Sequence, residues 1–264
     1  MAKRLLALYN VAGYVFLLAP IVVVMVWSFS DSTTLTVPPR GWSLRWFRYL
    51  AGRDEFIDAA VVSAQVAIVS SAGAVALGML ASLALVRERV PGRAAIEALL
   101  MGPLVLPGII TGVALLQFFT IIGLLQSFER LLLAHLVICT PYAIKSISAC
   151  LYGIDPSLEE ASRTLGAGPW RTFRRVLLPL LRPGLFAAFI FSFVTSFDNV
   201  VVSIYLIGAD TVTLPVRILT YVEWQFDPSI AAISTIFIAV TSVLVIVSER
   251  LAGSGGAWAE PSGR

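Results

Sequence analysis

Residues 59–86 read AAVVSAQVAIVSSAGAVALGMLASLALV and contain no Asp, Glu, Lys or Arg. A helix needs about 20 apolar residues to cross a bilayer core of about 30 Å, so this run is long enough to span a membrane. Residues 5–30 and 98–128 form two further uncharged runs. Across the chain 58% of the residues are hydrophobic and 13% are charged, about half the charged fraction of a soluble domain. The sequence therefore predicts an all-α membrane protein.

Six transmembrane helices follow from the same reasoning applied to the whole chain. They cover residues 5–29, 59–86, 98–122, 131–151, 184–207 and 230–247. Pro103 and Pro107 fall inside the third span, where neighbouring helices or water can satisfy the freed carbonyls. We predict a single transmembrane domain over residues 1–264, with a disordered C-terminal tail at 251–264.

The basic residues predict the orientation of the chain. Cytoplasmic loops of membrane proteins are enriched in Lys and Arg. If the N-terminus lies inside, 13 of the 19 basic residues fall in inner segments and the others in outer segments. We therefore expect both termini in the cytoplasm. The basic residues lie between apolar spans and form no basic domain, so we expect no nucleic-acid partner.

Metal and cofactor sites are not indicated by the sequence. The chain has one histidine, His135, and two cysteines, Cys139 and Cys150. These residues lack the spacing of metal ligands, and a hydrogen-bonded packing role is the default for His135. We predict no metal and no cofactor in this chain.

The inner connection between spans four and five, residues 153–183, differs in composition from the spans around it. Asp155 followed by Pro156 predicts a helix start, because Asp caps a helix and Pro fits the first helical position. Ser157 and Glu160 also fit a capping box, in which each side chain bonds the other's backbone.

The same loop is predicted to contain two short helices. Gly166 and the Gly168-Pro169 pair are expected to end the first helix. A second helix is expected at about 170–177, and Pro179 is expected to close it. Two short helices at an angle would form a compact projection on the inner membrane face.

The loop closely resembles the coupling signature of binding-protein-dependent ABC importer permeases. Glu160-Ala161-Ser162 is followed after three residues by Gly166 and after nine more by Val176-Leu177-Leu178-Pro179. The resemblance implies a type I importer permease fold with six spans, whose cytoplasmic coupling helix lies between spans four and five and docks in an ATPase subunit. It implies coupling roles for Glu160, Ala161, Ser162, Gly166, Leu178 and Pro179. Ser162 stands where the pattern usually has alanine, and we expect little effect from it.

Three further stretches, residues 196–203, 213–215 and 227–235, look like the second permease subunit of the spermidine/putrescine uptake group. The resemblance implies a heteromeric complex in a bacterial inner membrane. Its other members would be a homologous second permease, cytoplasmic ATPase subunits acting as a dimer, and a periplasmic or extracellular substrate-binding protein. ATP and Mg would be bound by the ATPase, and this chain would not itself be an enzyme. A second copy of this chain as the permease partner remains open.

Asp198 is the one charge in the fifth predicted span. Placing a charged side chain inside a membrane span costs free energy, so such a residue suggests a functional role. Asp198 is therefore a candidate for attracting a cationic amine. The alternative is a packing carboxylate that bonds Asn199, Ser203 or an arginine. Relatives often have a second acid where this chain has Asn199, so a polyamine and a smaller amine or amino-acid-like solute both remain open.

A second candidate cluster precedes the last span. Tyr221, Glu223 and Trp224 could contact an amine, because an aromatic face beside a carboxylate suits ammonium groups. The alternative is an aromatic anchor at the membrane interface.

Competing functional classes are weaker on this sequence. No Gly-x-x-x-x-Gly-Lys-Ser/Thr loop is present, so ATP must be bound by another chain. A membrane-bound enzyme lacks a catalytic constellation. A secondary transporter driven by an ion gradient is the alternative, and it predicts inverted repeats and several buried ionisable groups.

Overall fold

The computed structural model describes residues 2–33, 39, 41–224 and 227–253, and most of these residues are helical. The helices are α1 (Ala2–Ser28), α2 (Arg45–Ala51), α3 (Asp54–Arg87), α4 (Arg93–Val105), α5 (Gly108–Ile121), α6 (Ser127–Tyr152), α7 (Ser157–Thr164), α8 (Pro169–Thr172), α9 (Leu178–Phe197), α10 (Leu214–Trp224) and α11 (Ser229–Gly253). A π-helical turn, Phe173–Leu177, joins α8 to α9, and a 3-10 turn, Ser203–Tyr205, follows α9. The predicted all-α architecture is confirmed.

The six predicted spans are not all confirmed within the described residues. Four segments are long and apolar enough to cross a membrane, namely Lys3–Ser28, Asp54–Arg87, Ser127–Tyr152 and Pro169–Phe197. The pair α4 and α5 makes a fifth if it is counted as one bent span. α11 lies at the sixth predicted span, but its apolar part within the described residues, Ser229–Val243, is shorter than the others. The described part of the chain therefore gives four or five spans by length and composition.

The third predicted span, 98–122, is not one continuous helix. The axes of α4 and α5 differ by 107° across a short break. Leu106 is extended there, with φ −74° and ψ 139°, and Pro107 follows it. The proline ring disfavours the helical conformation of the residue before it, so the helix ends at Val105. Pro103 is accommodated inside α4.

The fifth predicted span, 184–207, ends ten residues early, because α9 stops at Phe197. The Asn199 side-chain oxygen accepts a hydrogen bond from the Val202 backbone N–H at 2.9 Å. Such local side-chain bonds compete with helix continuation. The residues after α9 accordingly form turns instead of completing the span.

The start of this span also corrects an expectation, since Pro179 does not close the second short helix. Helical structure runs on from Pro169 to Phe197. A proline ring clashes with the carbonyl four residues earlier in a regular helix, which here belongs to Arg175. Arg175 lies in the wider π-helical turn, and this turn accommodates the proline without a break.

The chain forms two compact units. One comprises residues 1–58 and 217–243, and the other residues 59–216 and 244–264. The single domain expected over 1–264 stays a prediction. Of the predicted tail, 251–253 belong to α11 and 254–264 lie outside the described residues.

The larger unit is built around α6 packed against α9 and α3. Small residues allow the close approach, as is typical of membrane helices. A Cβ added to Gly184 would lie 2.5 Å from the Cys150 Cβ, and one added to Gly78 would lie 2.8 Å from the Ala143 Cβ. The largest fully buried apolar side chains include Leu131, Ile147, Leu151, Leu181 and Leu206.

The smaller unit contains α1, whose apolar side chains are exposed along most of its length. The end of α1 is held by a backbone bridge between Ser30 and Trp42 and by the Phe29 and Phe47 rings, 5.2 Å apart. An apolar helix that is uncovered in the isolated chain fits contact with lipid or with another membrane subunit.

Candidate functional site

α7 begins as the sequence predicts. The Asp155 carboxylate accepts a hydrogen bond from the Ser157 backbone N–H at 2.9 Å, and Pro156 has helical angles. This bond holds the pKa of Asp155 below its usual value, because it stabilises the ionised carboxylate. The predicted capping box does not form, since the Glu160 backbone N–H donates to the Pro156 carbonyl at 3.2 Å.

α7 ends in a Schellman turn at Gly166. Gly166 has φ +81°, a left-handed conformation that glycine adopts without steric cost. Its N–H donates to the Arg163 carbonyl at 2.9 Å, and the Ala167 N–H donates to the Ser162 carbonyl at 3.1 Å. These two bonds define the motif. The glycine in the sequence signature therefore has a local structural reason.

A hydrogen bond ties α7 to α8. The hydroxyl groups of Ser162 and Thr172 are 3.1 Å apart, and Thr172 is 2% exposed. Alanine at position 162 would leave this buried hydroxyl without that partner. The small effect expected of serine at position 162 stays a prediction, and the structure adds that its hydroxyl takes part in the packing of the loop.

A second connection joins α7 to the end of α3. Arg87 Nε lies 2.9 Å from Glu159 Oε1, and Arg87 Nη2 donates to the Ile154 carbonyl at 2.9 Å. The two residues also line a cleft of about 670 Å³ between the end of α3, α7 and α8. Neither residue belongs to the sequence signature, so sequence reasoning did not select them.

The solvent-exposed surface of the 153–183 loop carries both charged and apolar side chains. Glu160 and Ala161 are exposed. Leu165 is 88% exposed and Trp170 is 70% exposed. Leu178 and Pro179 are half-buried at the base of the loop. Exposed large apolar side chains beside charges are typical of a surface that binds another protein.

Asp198 follows the last residue of α9 at the end opposite to the loop. Its side chain is exposed, and no described residue forms a hydrogen bond or ion pair with its carboxylate. Asn199 is half-buried, and its side-chain oxygen is taken by the Val202 N–H. Within the described residues, the Asp198 carboxylate therefore bonds neither Asn199 nor Ser203 nor an arginine.

A network of buried polar side chains includes residues close to Asp198 in sequence. This network was not predicted from the sequence. His135 Nδ1 lies 2.7 Å from the Ser196 hydroxyl and Nε2 lies 3.0 Å from the Ser203 hydroxyl. The Ser196 and Ser70 hydroxyls are 3.2 Å apart. The Ser203 hydroxyl donates to the Asn199 carbonyl at 2.6 Å. The packing role expected for His135 is confirmed, and it joins α3, α6, α9 and the following turns.

The second candidate cluster belongs to the smaller unit. The Tyr221 hydroxyl donates to Asp227 Oδ2 at 2.9 Å, and burial raises the pKa of Tyr221. Ser229, the first residue of α11, donates its backbone N–H to Asp227 Oδ1 at 2.9 Å. The Tyr221 hydroxyl therefore bonds the carboxylate that caps the start of α11. Glu223 is exposed, and Trp224 is 83% exposed.

Comparison with known proteins agrees with these features. Residues 74–253 match the family described as binding-protein-dependent transport system inner membrane component. The spermidine/putrescine transport system permease protein PotC of Shigella flexneri is 31% identical over 94% of this chain and 96% of its own length. The putrescine transport system permease protein PotI of Escherichia coli K12 is 30% identical over 89% of this chain and 86% of its own. The predicted resemblance to the polyamine group is confirmed.

Solved structures share the fold at low sequence identity. A bacterial ABC transporter that imports alginate has a chain with a TM-score of 0.73 and 14% identity, covering 95% of this chain and 97% of its own. The MetNI methionine ABC transporter gives 0.61 and 19%, covering 79% and 97%. On the extent of the family match and of the identity to its relatives, the chain belongs to the binding-protein-dependent transport system inner membrane component family.

Proposed function

We propose that this chain is a permease subunit of an ATP-driven importer and that its 153–183 loop transmits the work of a separate ATPase. The proposal rests on the structure of this loop. An Asp155 cap starts α7, a Schellman turn at Gly166 ends it, and Leu165 and Trp170 stand exposed beside it. Well-formed backbone structure with an uncovered apolar surface suits docking to a partner.

The proposed mechanism is mechanical. ATP and Mg would bind to a dimer of cytoplasmic ATPase subunits, and closure of that dimer would displace the loop. The loop runs directly into α9 through continuous helical structure, so its displacement would move a membrane span. A second homologous permease would complete the path, and a periplasmic or extracellular binding protein would deliver the solute. Family membership favours this mechanism over an ion-gradient transporter.

Orientation follows from the same proposal. A loop that docks with a cytoplasmic ATPase must lie on the cytoplasmic side. Both termini would then also be cytoplasmic, as the distribution of Lys and Arg predicts. Cysteine labelling from one side of the membrane tests this, with Leu165→Cys reporting the loop and Cys139 and Cys150 replaced.

The proposed solute is a polyamine or a smaller amine. The relatives are named for spermidine and putrescine transport, and Asp198 offers an exposed carboxylate after α9. Asn199 leaves one acid at this position, so a single ammonium group can be paired there. We propose Tyr221, Glu223 and Trp224 only as secondary contacts, because the Tyr221 hydroxyl is already bonded to Asp227.

The test of coupling is purification of the tagged chain with its partners, followed by reconstitution in proteoliposomes. Recovery of an ATPase subunit and a second permease is expected, with uptake that requires ATP and persists without an ion gradient. Glu160→Ala should lower uptake per ATP hydrolysed, whereas Glu97→Ala, an exposed acid on α4, should not. Uptake driven by an ion gradient without ATP would overturn the proposal.

The test of the solute uses the same vesicles. Spermidine, putrescine and amino acids are supplied with the cognate binding protein, and uptake is compared between the wild type and Asp198→Asn. A selective loss of amine uptake is expected. Unchanged kinetics for every solute would remove Asp198 from the path and leave the coupling proposal standing.

A further inference from the structure

The cleft beside α7 leaves this helix with few connections to the membrane spans. Leu83, Ala84 and Arg87 of α3 line one side of the cleft, and Glu159 and Arg163 of α7 line another. Its volume of about 670 Å³ lies between the coupling helix and the body of the larger unit. Groups that bridge the cleft would pass a displacement of α7 directly to α3.

Arg87 is such a bridge. It is the last residue of α3, and its guanidinium pairs with Glu159 on α7 while bonding the Ile154 carbonyl just beyond α6. The Arg87 and Glu159 side chains are 17% and 15% exposed. The Nε–Oε1 contact is an ion pair without hydrogen-bond geometry, whereas the contact with Ile154 is a directed hydrogen bond. One side chain therefore links three segments of the chain.

The Arg87–Glu159 pair is too little exposed to be an ordinary surface ion pair. Exposed pairs contribute little because water screens them. A largely buried charge that loses its partner is left poorly solvated, and its neighbourhood rearranges. Removing either partner should therefore change how α7 is held against α3.

We infer that Arg87 and Glu159 form a strut that passes displacement of the coupling helix to α3 as well as to α9. This inference rests on the proposed coupling function and deepens it. Arg87 is a positioning residue, since it acts through α7 and touches neither solute nor nucleotide. Two spans of the larger unit then move together, one through the continuous helix from Pro169 and the other through the strut.

The experiment compares Arg87→Glu, Glu159→Arg and the double charge exchange in the complete complex. The measured quantity is solute transported per ATP hydrolysed, together with ATPase recovery and the apparent melting temperature. Arg89→Glu is the matched control, because Arg89 is exposed two residues further on and undergoes the same change of charge.

Each single change is expected to lower transport per ATP about tenfold, as a coupling energy near 1.4 kcal/mol implies, with ATPase recovery and hydrolysis retained. The double exchange restores the attraction but not the bond to the Ile154 carbonyl, so partial recovery is expected. Arg89→Glu should match the wild type.

Two results would overturn the strut while leaving the coupling proposal intact. One is wild-type transport per ATP in both single variants. The other is a parallel loss of transport, hydrolysis and melting temperature, which a structural role alone produces. Absence of any ATPase in the wild-type purification would instead remove the coupling proposal, and the strut with it.

Discussion

Gly166→Ala tests whether the left-handed turn sets the shape of the coupling loop. Gly166 has φ +81°, and a Cβ at this position would meet nothing within 4 Å. The cost of alanine is therefore purely conformational and amounts to about 1–2 kcal/mol. A penalty of this size changes the ratio of the formed turn to the opened turn by about 5–30-fold. Gly168 has φ −69° and an equally open Cβ position, so Gly168→Ala is the matched control.

The assay is transport per ATP hydrolysed in proteoliposomes, with protease accessibility of the loop as the structural readout. Gly166→Ala should lower the first and raise the second, while Gly168→Ala changes neither. Gly166→Asn should fall between alanine and the wild type, because asparagine enters the left-handed region more readily. Equal behaviour of Gly166→Ala and Gly168→Ala would refute the reasoning, since the two sites differ chiefly in backbone conformation.

Three further predictions concern packing in the larger unit and use the apparent melting temperature of the purified protein. Ser162→Ala should cost about 1–3 kcal/mol, because it removes the partner of the buried Thr172 hydroxyl, whereas adding Thr172→Val should recover most of the loss. His135→Leu leaves two buried serine hydroxyls without their imidazole partner and should cost at least as much; a smaller loss than for Ser162→Ala would contradict the network. Gly184→Val overpacks the α6–α9 contact and should cost about 3 kcal/mol, while Gly13→Val, on an open helix face, should stay within about 0.5 kcal/mol.

Local sequence signals predicted the coupling loop well. Asp155 and Pro156 start α7, and Gly166 ends it, because caps and left-handed turns depend on a few neighbouring residues. The capping box at Ser157 failed for an equally local reason. Asp155 already occupies the capping position two residues earlier, and a helix has one start.

The effects of the prolines could not be separated from sequence. Pro103 and Pro179 both lie within continuous helical structure, whereas Pro107 follows a sharp bend. Each proline carries the same intrinsic penalty. Its outcome depends on whether the preceding backbone can widen, as at residues 173–177, or extend, as at Leu106, and that choice is made by the surrounding packing.

Long-range polar contacts were the part that sequence reasoning missed. Arg87 and Glu159 are 72 residues apart in sequence, and the His135 network joins residues from four segments. In the sequence, Arg87 is one of several basic residues in an inner loop, and no pattern of residue spacing links it to Glu159. Only the packing of α3 beside α7 pairs these charges.

In the proposed mechanism, the continuous helical segment from Pro169 to Phe197 would connect the coupling loop to the solute path. It has 29 residues, and at about 1.5 Å per residue it is about 44 Å long. The coupling helix α7 precedes its first residue, and Asp198 follows its last residue. If it pivots as a rigid rod, a tilt of about 5° displaces one end by about 4 Å relative to the other, enough to break a direct ion pair.

The His135 network fastens the Asp198 end of this segment to α3 and α6. The network meets α3 near its middle, at Ser70, and the Arg87–Glu159 ion pair joins the last residue of α3 to the loop. In the proposed mechanism, movement of the loop would reach Asp198 through two connected spans, and loosening either connection should weaken coupling without removing the carboxylate.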